Sequence, residues 1–255
     1  MIVRFLGTHH SESKETKLAS LLIDGILAVD AGSLSSELTF SEQAKIKAIL
    51  LSHGHYDHIK CVPSFIFSNM DRTTNIYATK HTINLLSSHI FNGEVYPKFT
   101  EKTFLKKPPI KFVSLELLNS IKVVGYDVLT FPVTHTKGSV GFEITSKDKK
   151  KVLYTGDAGP GLSHIWEHVS PDVIIIDVTF PSRMEDIAKS ASHLCPKFLK
   201  EELESFHKIK GYFPKVYLIH LSPEFEDEII NDVKEVEKEL KIKIKIAREG
   251  SRIDI

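Results

Sequence analysis

Cysteine is scarce, with only Cys61 and Cys195 in a sequence of 255 residues. Two thiols are too few for the disulfide framework of a small secreted domain. No apolar run approaches the roughly 20 residues that a membrane-spanning helix needs, and the opening MIVRFLG is too short an apolar run for a signal peptide. These absences predict a cytoplasmic protein with no membrane partner.

The sequence also has no excess of charge of either sign, since 33 Lys and Arg residues balance 33 Asp and Glu residues. A balanced chain does not generally attract nucleic acid or anionic membranes, so local groups must capture any anionic substrate. Hydrophobic residues make up 42% of the chain and charged residues 26%, which excludes disordered and fibrous classes. Because no repeat, linker or shift in composition divides the chain, we expect one α/β domain over residues 1–255.

Short apolar segments in the first third predict strands at residues 2–6, 19–23, 26–29 and 48–51. Asp24-Gly25 predicts a hairpin turn between the second and third of these strands. Helical patterns follow Asp57 and cover residues 79–91. Residues 92–110 are rich in proline and aromatic side chains, and we expect them to be irregular and to form a flap.

A second block of strands and helices begins near Ile121. Strands are predicted at residues 128–133, 140–144, 152–154, 173–177 and 216–219, and in the alternating residues 241–246 that close the chain. Helices are predicted at residues 184–190, 196–209 and 224–240. Two halves that each run from strands to helices favour two packed sheets with helices outside.

A segment rich in metal-ligand residues directly follows the buried strand at residues 48–51; it reads Ser52-His53-Gly54-His55-Tyr56-Asp57-His58. Residues two apart in an extended chain project to the same side, so His53 and His55 can approach one ion together. Asp57 and His58 lie at the start of the next helix, where the chain turns and can present them to a second ion. The alternative is a polar surface turn, but three imidazoles at the end of an apolar strand favour a metal site.

Three more candidate ligands follow strands further along the chain: His135, Asp157 and His220. Sheets of α/β proteins commonly build their sites at strand ends, so these residues are expected to join the first group. A single histidine after a strand is often incidental. Three candidate ligands that each follow a strand, in addition to the histidine motif, are hard to explain as incidental.

These motifs, together with Leu6-Gly7-Thr8 and Asp30-Ala31-Gly32, make the sequence resemble the metallo-β-lactamase superfamily over nearly its whole length. The resemblance implies an αββα sandwich, in which two mixed β-sheets are covered by outer helices and two metals bind at the strand ends. It assigns His53, His55 and His135 to the first metal, Asp57, His58 and His220 to the second, and Asp157 to a bridging position. It makes Asp30 a structural support near the site and not a ligand.

The ligand set predicts the chemistry. Imidazole and carboxylate groups suit Zn²⁺ best, Mn²⁺ and Fe²⁺ are admissible, and neither cysteine falls at a ligand position. Two such ions about 3.5 to 4 Å apart lower the pKa of a shared water towards ~7 and clamp the oxygens of an in-line displacement. We therefore expect a metal-dependent hydrolase, with Asp57 among its catalytic residues. No nucleophilic serine is required, which agrees with the absence of a Gly-x-Ser-x-Gly elbow.

Asp177 and His193 narrow the range of expected substrates. The segments around them resemble the paired acidic and histidine motifs of the phosphodiesterase branch, which contains class II cyclic-nucleotide phosphodiesterases and tRNA 3′-processing endonucleases. The resemblance implies that His193 is the general acid for the leaving oxygen and that Asp177 orients it, although this branch usually carries Glu at that position. The alternative is that His193 merely caps the helix that begins near Pro196. A small phosphodiester is the expected substrate.

Other functions stay open. Residues 88–92 and 96–99 resemble the helix and flap of the class II phosphodiesterases, where aromatic rings can stack on a base or simply pack in the core. An endonuclease is expected to carry a basic, glycine-rich arm, which is not found, so nucleic acid is admitted as a partner but not favoured. A lactonase or thioester hydrolase, a di-iron redox protein and a metal sensor are further alternatives. The sequence predicts no oligomeric state.

Two further histidines, His9 and His10, follow the first strand, and we expect them to be exposed loop residues. Tyr154 and Trp166 are expected in the core.

Overall fold

The computed structural model describes residues 1–101 and 107–255, and its strands form two sheets. The first sheet contains β1 (Ile2–Gly7), β2 (Ser20–Ile23), β3 (Leu27–Val29), β4 (Ala48–Leu50), β5 (Thr74–Thr79), β6 (Ile110–Leu115) and β14 (Arg252–Asp254). The second contains β7 (Ser120–Val123), β8 (Tyr126–Pro132), β9 (Val140–Thr145), β10 (Lys151–Tyr154), β11 (Val173–Asp177), β12 (Lys215–Ile219) and β13 (Ile244–Ile246).

Both sheets are mixed. In the first, β14, β1, β2 and β3 pair antiparallel, whereas β3 to β6 pair parallel. In the second, β7 to β10 pair antiparallel and β10 to β13 pair parallel. Asp24 and Gly25 have φ angles of 47° and 72°, so the predicted hairpin turn joins β2 to β3. The candidate ligands follow β4, β8, β10 and β12, which places them at one edge of the sandwich.

The helices are short in the first half of the chain and longer in the second. They are α1 (Phe40–Gln43), α2 (Tyr56–Ile59), α3 (Val62–Ser68), α4 (Lys80–Leu85), α5 (Ser163–Trp166), α6 (Glu185–Ala191), α7 (Pro196–Lys210) and α8 (Glu226–Leu240). A π-helical turn, Leu86–Ile90, extends α4, and 3₁₀ turns at Ser182–Met184 and Pro223–Phe225 lead into α6 and α8. No helix within the described ranges has the length and apolar character needed to cross a membrane.

Apolar side chains form three layers. The central cluster lies between the sheets and includes Phe5, Phe142 and Tyr154. A second cluster joins the second sheet to α5, α7 and α8, and a third joins the first sheet to α2 and α3. The predicted αββα sandwich of two mixed sheets with outer helices is therefore confirmed.

The sequence patterns did not predict several short elements. Strands β5 and β6 were not predicted, because polar residues such as Thr74, Asn75 and Lys111 interrupt the apolar runs that mark the other strands. The predicted helix at residues 79–91 begins one residue later, since Thr79 ends β5 and caps α4. The prediction that residues 241–246 form the closing strand was wrong in extent: Lys241 ends α8 at φ 55°, only Ile244–Ile246 are extended, and β14 follows.

The predicted flap at residues 92–110 is only partly described, because residues 102–106 lie outside the described ranges. Its aromatic side chains had two expected roles, base stacking and core packing. Phe91 and Phe99 are only 2% and 3% exposed, and they pack in the third apolar cluster beside the partly buried Tyr96. Phe91 and Phe99 are therefore core residues.

Candidate metal centre

A buried carboxylate fixes the backbone from which the histidine motif extends. Asp30 follows β3 and is 0% exposed. It accepts hydrogen bonds from the amide and hydroxyl of Ser52 at 2.8 and 2.7 Å, and from the Tyr154 hydroxyl at 2.6 Å. It also accepts one from His58 Nδ1 at 2.7 Å. Asp30 thus lies at the supporting position expected from the sequence.

Unusual backbone at three positions lets the strand ends approach one another. A Cβ at Gly32 would lie 2.0 Å from the Asp57 carbonyl oxygen, so a larger residue would push α2 away. Asp30 and His220 have left-handed φ angles of 56° and 64°. Such conformations cost about 1–3 kcal/mol each for non-glycine residues and persist where surrounding contacts hold them.

The four side chains predicted around the first metal lie together. His53, His55, His135 and Asp157 each offer a ligand atom within 4.8 Å of the others. Nε2 of His53 and Nε2 of His135 each lie 3.6 Å from Asp157 Oδ2. His55 Nδ1 lies 3.0 Å from His135 Nε2 on the exposed side of the cluster. This cluster could hold one cation.

The side chains predicted around the second metal form an adjacent cluster of Asp57, His58, Asp157 and His220. His58 Nε2 is 3.1 Å from Asp157 Oδ1, and His220 Nε2 is 3.1 Å from Asp57 Oδ2. Because Asp157 belongs to both clusters, its two oxygens are available to neighbouring cations. This is the position expected of a bridging carboxylate.

Hydrogen bonds at the far ring nitrogens orient four of the histidines. Nδ1 of His53 contacts Ser52 Oγ at 3.0 Å, Nδ1 of His58 contacts Asp30 Oδ2 at 2.7 Å, Nδ1 of His135 contacts the Ser192 carbonyl at 3.1 Å, and Nδ1 of His220 contacts Thr179 Oγ1 at 2.9 Å. An Nδ1–H that donates to such an acceptor leaves the Nε2 lone pair free. Partners of this kind typically orient the histidine ligands of metal sites.

Three buried polar atoms in the clusters make no hydrogen bond within the described part of the chain: His53 Nε2, His58 Nε2 and Asp157 Oδ1. Their residues are 1%, 0% and 2% exposed, so water does not compensate them from outside. Buried unpaired polar atoms are costly, so these three atoms are placed to bind a further partner. Nitrogen and carboxylate oxygen donors that converge in this way fit a divalent transition-metal ion.

The pKa shifts of the clustered side chains also indicate a cation-binding site. Burial acts to raise the pKa of Asp157, but His220 and His58 hold it well below its usual range. Burial acts to lower the pKa of His58, yet Asp157 and Asp30 raise it well above its usual range. The carboxylates therefore impose a negative potential that attracts cations.

Asp177, His193 and His220 form a third group beside the second cluster. His193 Nδ1 lies 2.7 Å from Asp177 Oδ2, so the aspartate reaches the histidine despite its short side chain. Thr179, which the sequence analysis missed, donates to Asp177 Oδ1 at 2.6 Å and accepts from His220 Nδ1. His193 does not cap α7, because the N-cap residue is Cys195.

The expectation that His9 is an exposed loop residue was wrong. His9 is only 7% exposed, and its ring nitrogens contact Glu249 at 2.9 Å and Glu226 at 3.2 Å. These partners come from distant parts of the chain, so no local pattern indicates the burial. His10 is partly buried, and its Nε2 lies 2.8 Å from Ser222 Oγ, next to His220.

Comparison with known proteins decides the family. The sequence profile of the beta-lactamase superfamily domain matches residues 21–221, which include all seven candidate metal ligands. The chain belongs to this superfamily. The predicted metallo-β-lactamase fold is confirmed, and the protein is a hydrolase of that superfamily.

Individual relatives are more distant. A probable 3′,5′-cyclic-nucleotide phosphodiesterase of Yersinia pestis is 25% identical over 82% of this chain and 67% of its own length. A ribonuclease Z of Methanococcus maripaludis is 26% identical over 72% of this chain and 65% of its own length. This chain spans only 26% and 50% of the length of two other phosphodiesterase relatives, from Candida albicans and Saccharomyces cerevisiae.

A crystal structure of unliganded yeast PDE1 superimposes with a TM-score of 0.85 over 100% of this chain and 99% of that one. The two sequences are 17% identical, so the similarity establishes the fold alone.

Proposed function

We propose that this superfamily member is a phosphodiesterase that binds two divalent metals and cleaves a P–O bond of a small nucleotide, most readily a cyclic one. The observation that carries the proposal is the Asp177–His193 pair, at 2.7 Å, beside the metal clusters. Hydrolysis of a thioester has less need of such an acid, because a thiolate leaves more easily than an alkoxide. A nucleoside alkoxide needs a proton, and this pair is placed to supply one.

In the proposed reaction, the chain's own residues hold and deliver the proton. Asp177 accepts the hydrogen bond from His193 Nδ1, which directs the opposite ring nitrogen towards the clusters. Burial acts to lower the pKa of His193, but Asp177 outweighs it and the pKa is raised, which favours the protonated ring that a general acid needs. His193 then donates that proton from Nε2 to the departing oxygen.

The metal-binding roles proposed are His53, His55 and His135 for one ion, Asp57, His58 and His220 for the other, and Asp157 for both. Zinc is the proposed metal, since imidazole and carboxylate donors suit it, with manganese or iron admissible. When bound, the two ions would supply a hydroxide nucleophile and compensate the charge of the phosphoryl oxygens. The catalytic unit we propose is one domain over residues 1–255.

Ribonuclease Z is the second candidate, because relatives with that name match most of this chain. RNA binding relies strongly on contacts from cationic side chains to phosphates. The balance of 33 positive and 33 negative residues gives no such footprint, so we favour the smaller substrate.

The test is hydrolysis of 3′,5′-cyclic AMP by the Zn²⁺- or Mn²⁺-loaded protein. We expect His193→Ala to lower turnover of cyclic AMP by about 10²–10⁴, but to affect a nitrophenyl phosphodiester far less, because nitrophenolate leaves without a proton. His168→Ala, at an exposed histidine outside the site, is the matched control. Equal losses on both substrates would contradict the role of His193, and no turnover of any phosphodiester would contradict the proposed function.

Metal analysis tests the ligand assignment separately. We expect about two ions per chain in the unmodified protein and a loss of both in Asp157→Ala, since this carboxylate belongs to both clusters. A variant that retains two tightly bound ions would contradict the bridging role.

A further inference from the structure

Base recognition needs an accessible aromatic face, and the flap does not provide one from Phe91 or Phe99. Both rings are at most 3% exposed, so neither can stack on a ligand without leaving the core. Among the described residues, the large exposed hydrophobic side chains include only one within the histidine motif, Tyr56, which is 66% exposed. An aromatic ring in that position loses favourable burial unless something covers it.

The chain fixes where Tyr56 lies. It is the first residue of α2, between His55, which caps the helix, and Asp57, whose Oδ2 is 3.1 Å from His220 Nε2. Neighbouring Cα atoms are about 3.8 Å apart, so the backbone of Tyr56 lies between two candidate metal ligands. The side chains that follow it point into the site, and His58 is 0% exposed. Tyr56, by contrast, is exposed to solvent between two candidate ligands.

A loop is fastened to the residue that ends α2. Lys60 is four residues after Tyr56, on the same side of the helical turn, and forms a salt bridge with Glu12. His10, near the start of the same loop, bonds to Ser222 beside the second cluster. Both ends of residues 10–12 are thus fastened next to the metal clusters.

We propose that Tyr56 is the stacking platform for the planar base of the nucleotide substrate, and that it makes the enzyme prefer purine over pyrimidine cyclic nucleotides. The inference rests on the proposed function, because it concerns the part of the substrate that does not react. A base stacks on an aromatic ring through its π face, and the larger purine covers more of that ring. Tyr56 does not touch the reacting atoms and is a specificity residue.

The experiment compares cyclic AMP with cyclic CMP in three variants. We expect Tyr56→Ala to lower kcat/KM for cyclic AMP about tenfold, mainly through KM, and to reduce the preference for cyclic AMP over cyclic CMP. Tyr56→Phe should restore both, because it keeps the ring and removes only the hydroxyl. Phe67→Ala is the matched control, since Phe67 is 58% exposed on α3 and belongs to no metal cluster. Metal content should stay unchanged in all three.

A binding measurement separates this inference from the proposed function. Equilibrium dialysis of cyclic AMP and cyclic CMP is run with metal-loaded His193→Ala protein, with and without Tyr56→Ala. A purine preference that disappears with the ring supports the inference even if the enzyme turns over no cyclic nucleotide, a result that would overturn only the proposed function. Equal losses for both nucleotides in Tyr56→Ala, or a Tyr56→Phe variant as weak as Tyr56→Ala, would overturn the role of Tyr56.

Discussion

Replacing Tyr154 by Phe removes one hydrogen-bond donor from Asp30, a fully buried carboxylate beside the site. Tyr154 is 1% exposed, and its hydroxyl donates to Asp30 Oδ2 at 2.6 Å. Burial first and Asp30 second raise the pKa of this phenol well above 10.0, so it stays a donor at any ordinary pH. The substitution leaves the ring in the core between the sheets, and the loss of the hydroxyl is the main change.

The magnitude follows from the partners that remain. Asp30 keeps the donors of Ser52 and His58 but loses one charge-assisted bond, worth about 1.5–3 kcal/mol. For a chain of this size, 1 kcal/mol corresponds to about 2–4 °C, so Tm should fall by about 3–12 °C. Because Asp30 also orients His58, affinity for the metal at the second cluster should fall, by less than the roughly 10–100-fold expected for removal of Asp30 itself.

Calorimetry and metal titration measure the two effects. The matched control is Tyr217→Phe, a tyrosine of the same core cluster that is 8% exposed and whose hydroxyl makes no hydrogen bond with any described residue. We expect that control to change Tm by little. If Tyr154→Phe resembled the control in both Tm and metal affinity, the reasoning that Asp30 supports the site through this bond would be refuted.

Three further predictions concern other contacts. Thr179→Val should lower kcat while Thr179→Ser preserves it, because the hydroxyl joins Asp177 to His220; equal activities in steady-state assays would contradict this link. His9→Asn should lower the free energy of unfolding more at pH 6 than at pH 9, as measured by urea titration. Burial acts to lower the pKa of His9, but its glutamates raise it, so its stabilisation is full below 6.5 and is lost as pH rises through the folded-state pKa. An unchanged difference between the two pH values would oppose this. Free Zn²⁺ at a hundredfold excess over Kd should add about 2.7 kcal/mol per site to the free energy of unfolding and so raise Tm, and Asp157→Ala should respond far less.

The candidate ligands could be predicted from the sequence because each signal is local. His53 and His55 are two residues apart, and His135, Asp157 and His220 each follow an apolar strand. Local spacing predicts which side chains a strand end presents, and parallel strands bring such ends to one edge of a sheet. The structure brings these seven candidate side chains together in two adjacent clusters.

The contacts that support the ligands could not be predicted in the same way. Tyr154 and Asp30 are 124 residues apart, and His9 meets Glu249 across 240 residues. Thr179 lies in an ordinary polar position, and only the approach of His220 gives its hydroxyl a role. Pairings over such distances depend on how the whole sandwich packs, and single-sequence patterns do not encode them.

Each metal cluster contains two residues that follow a strand of the first sheet and two that follow strands of the second sheet. His53 and His55 meet His135 and Asp157, and Asp57 and His58 meet Asp157 and His220. On the proposed assignment, neither half of the sequence can assemble either site alone. A chain divided between β6 and β7 would therefore regain tight metal binding only when its two pieces reassociate. Metal binding would then measure the association of the two fragments.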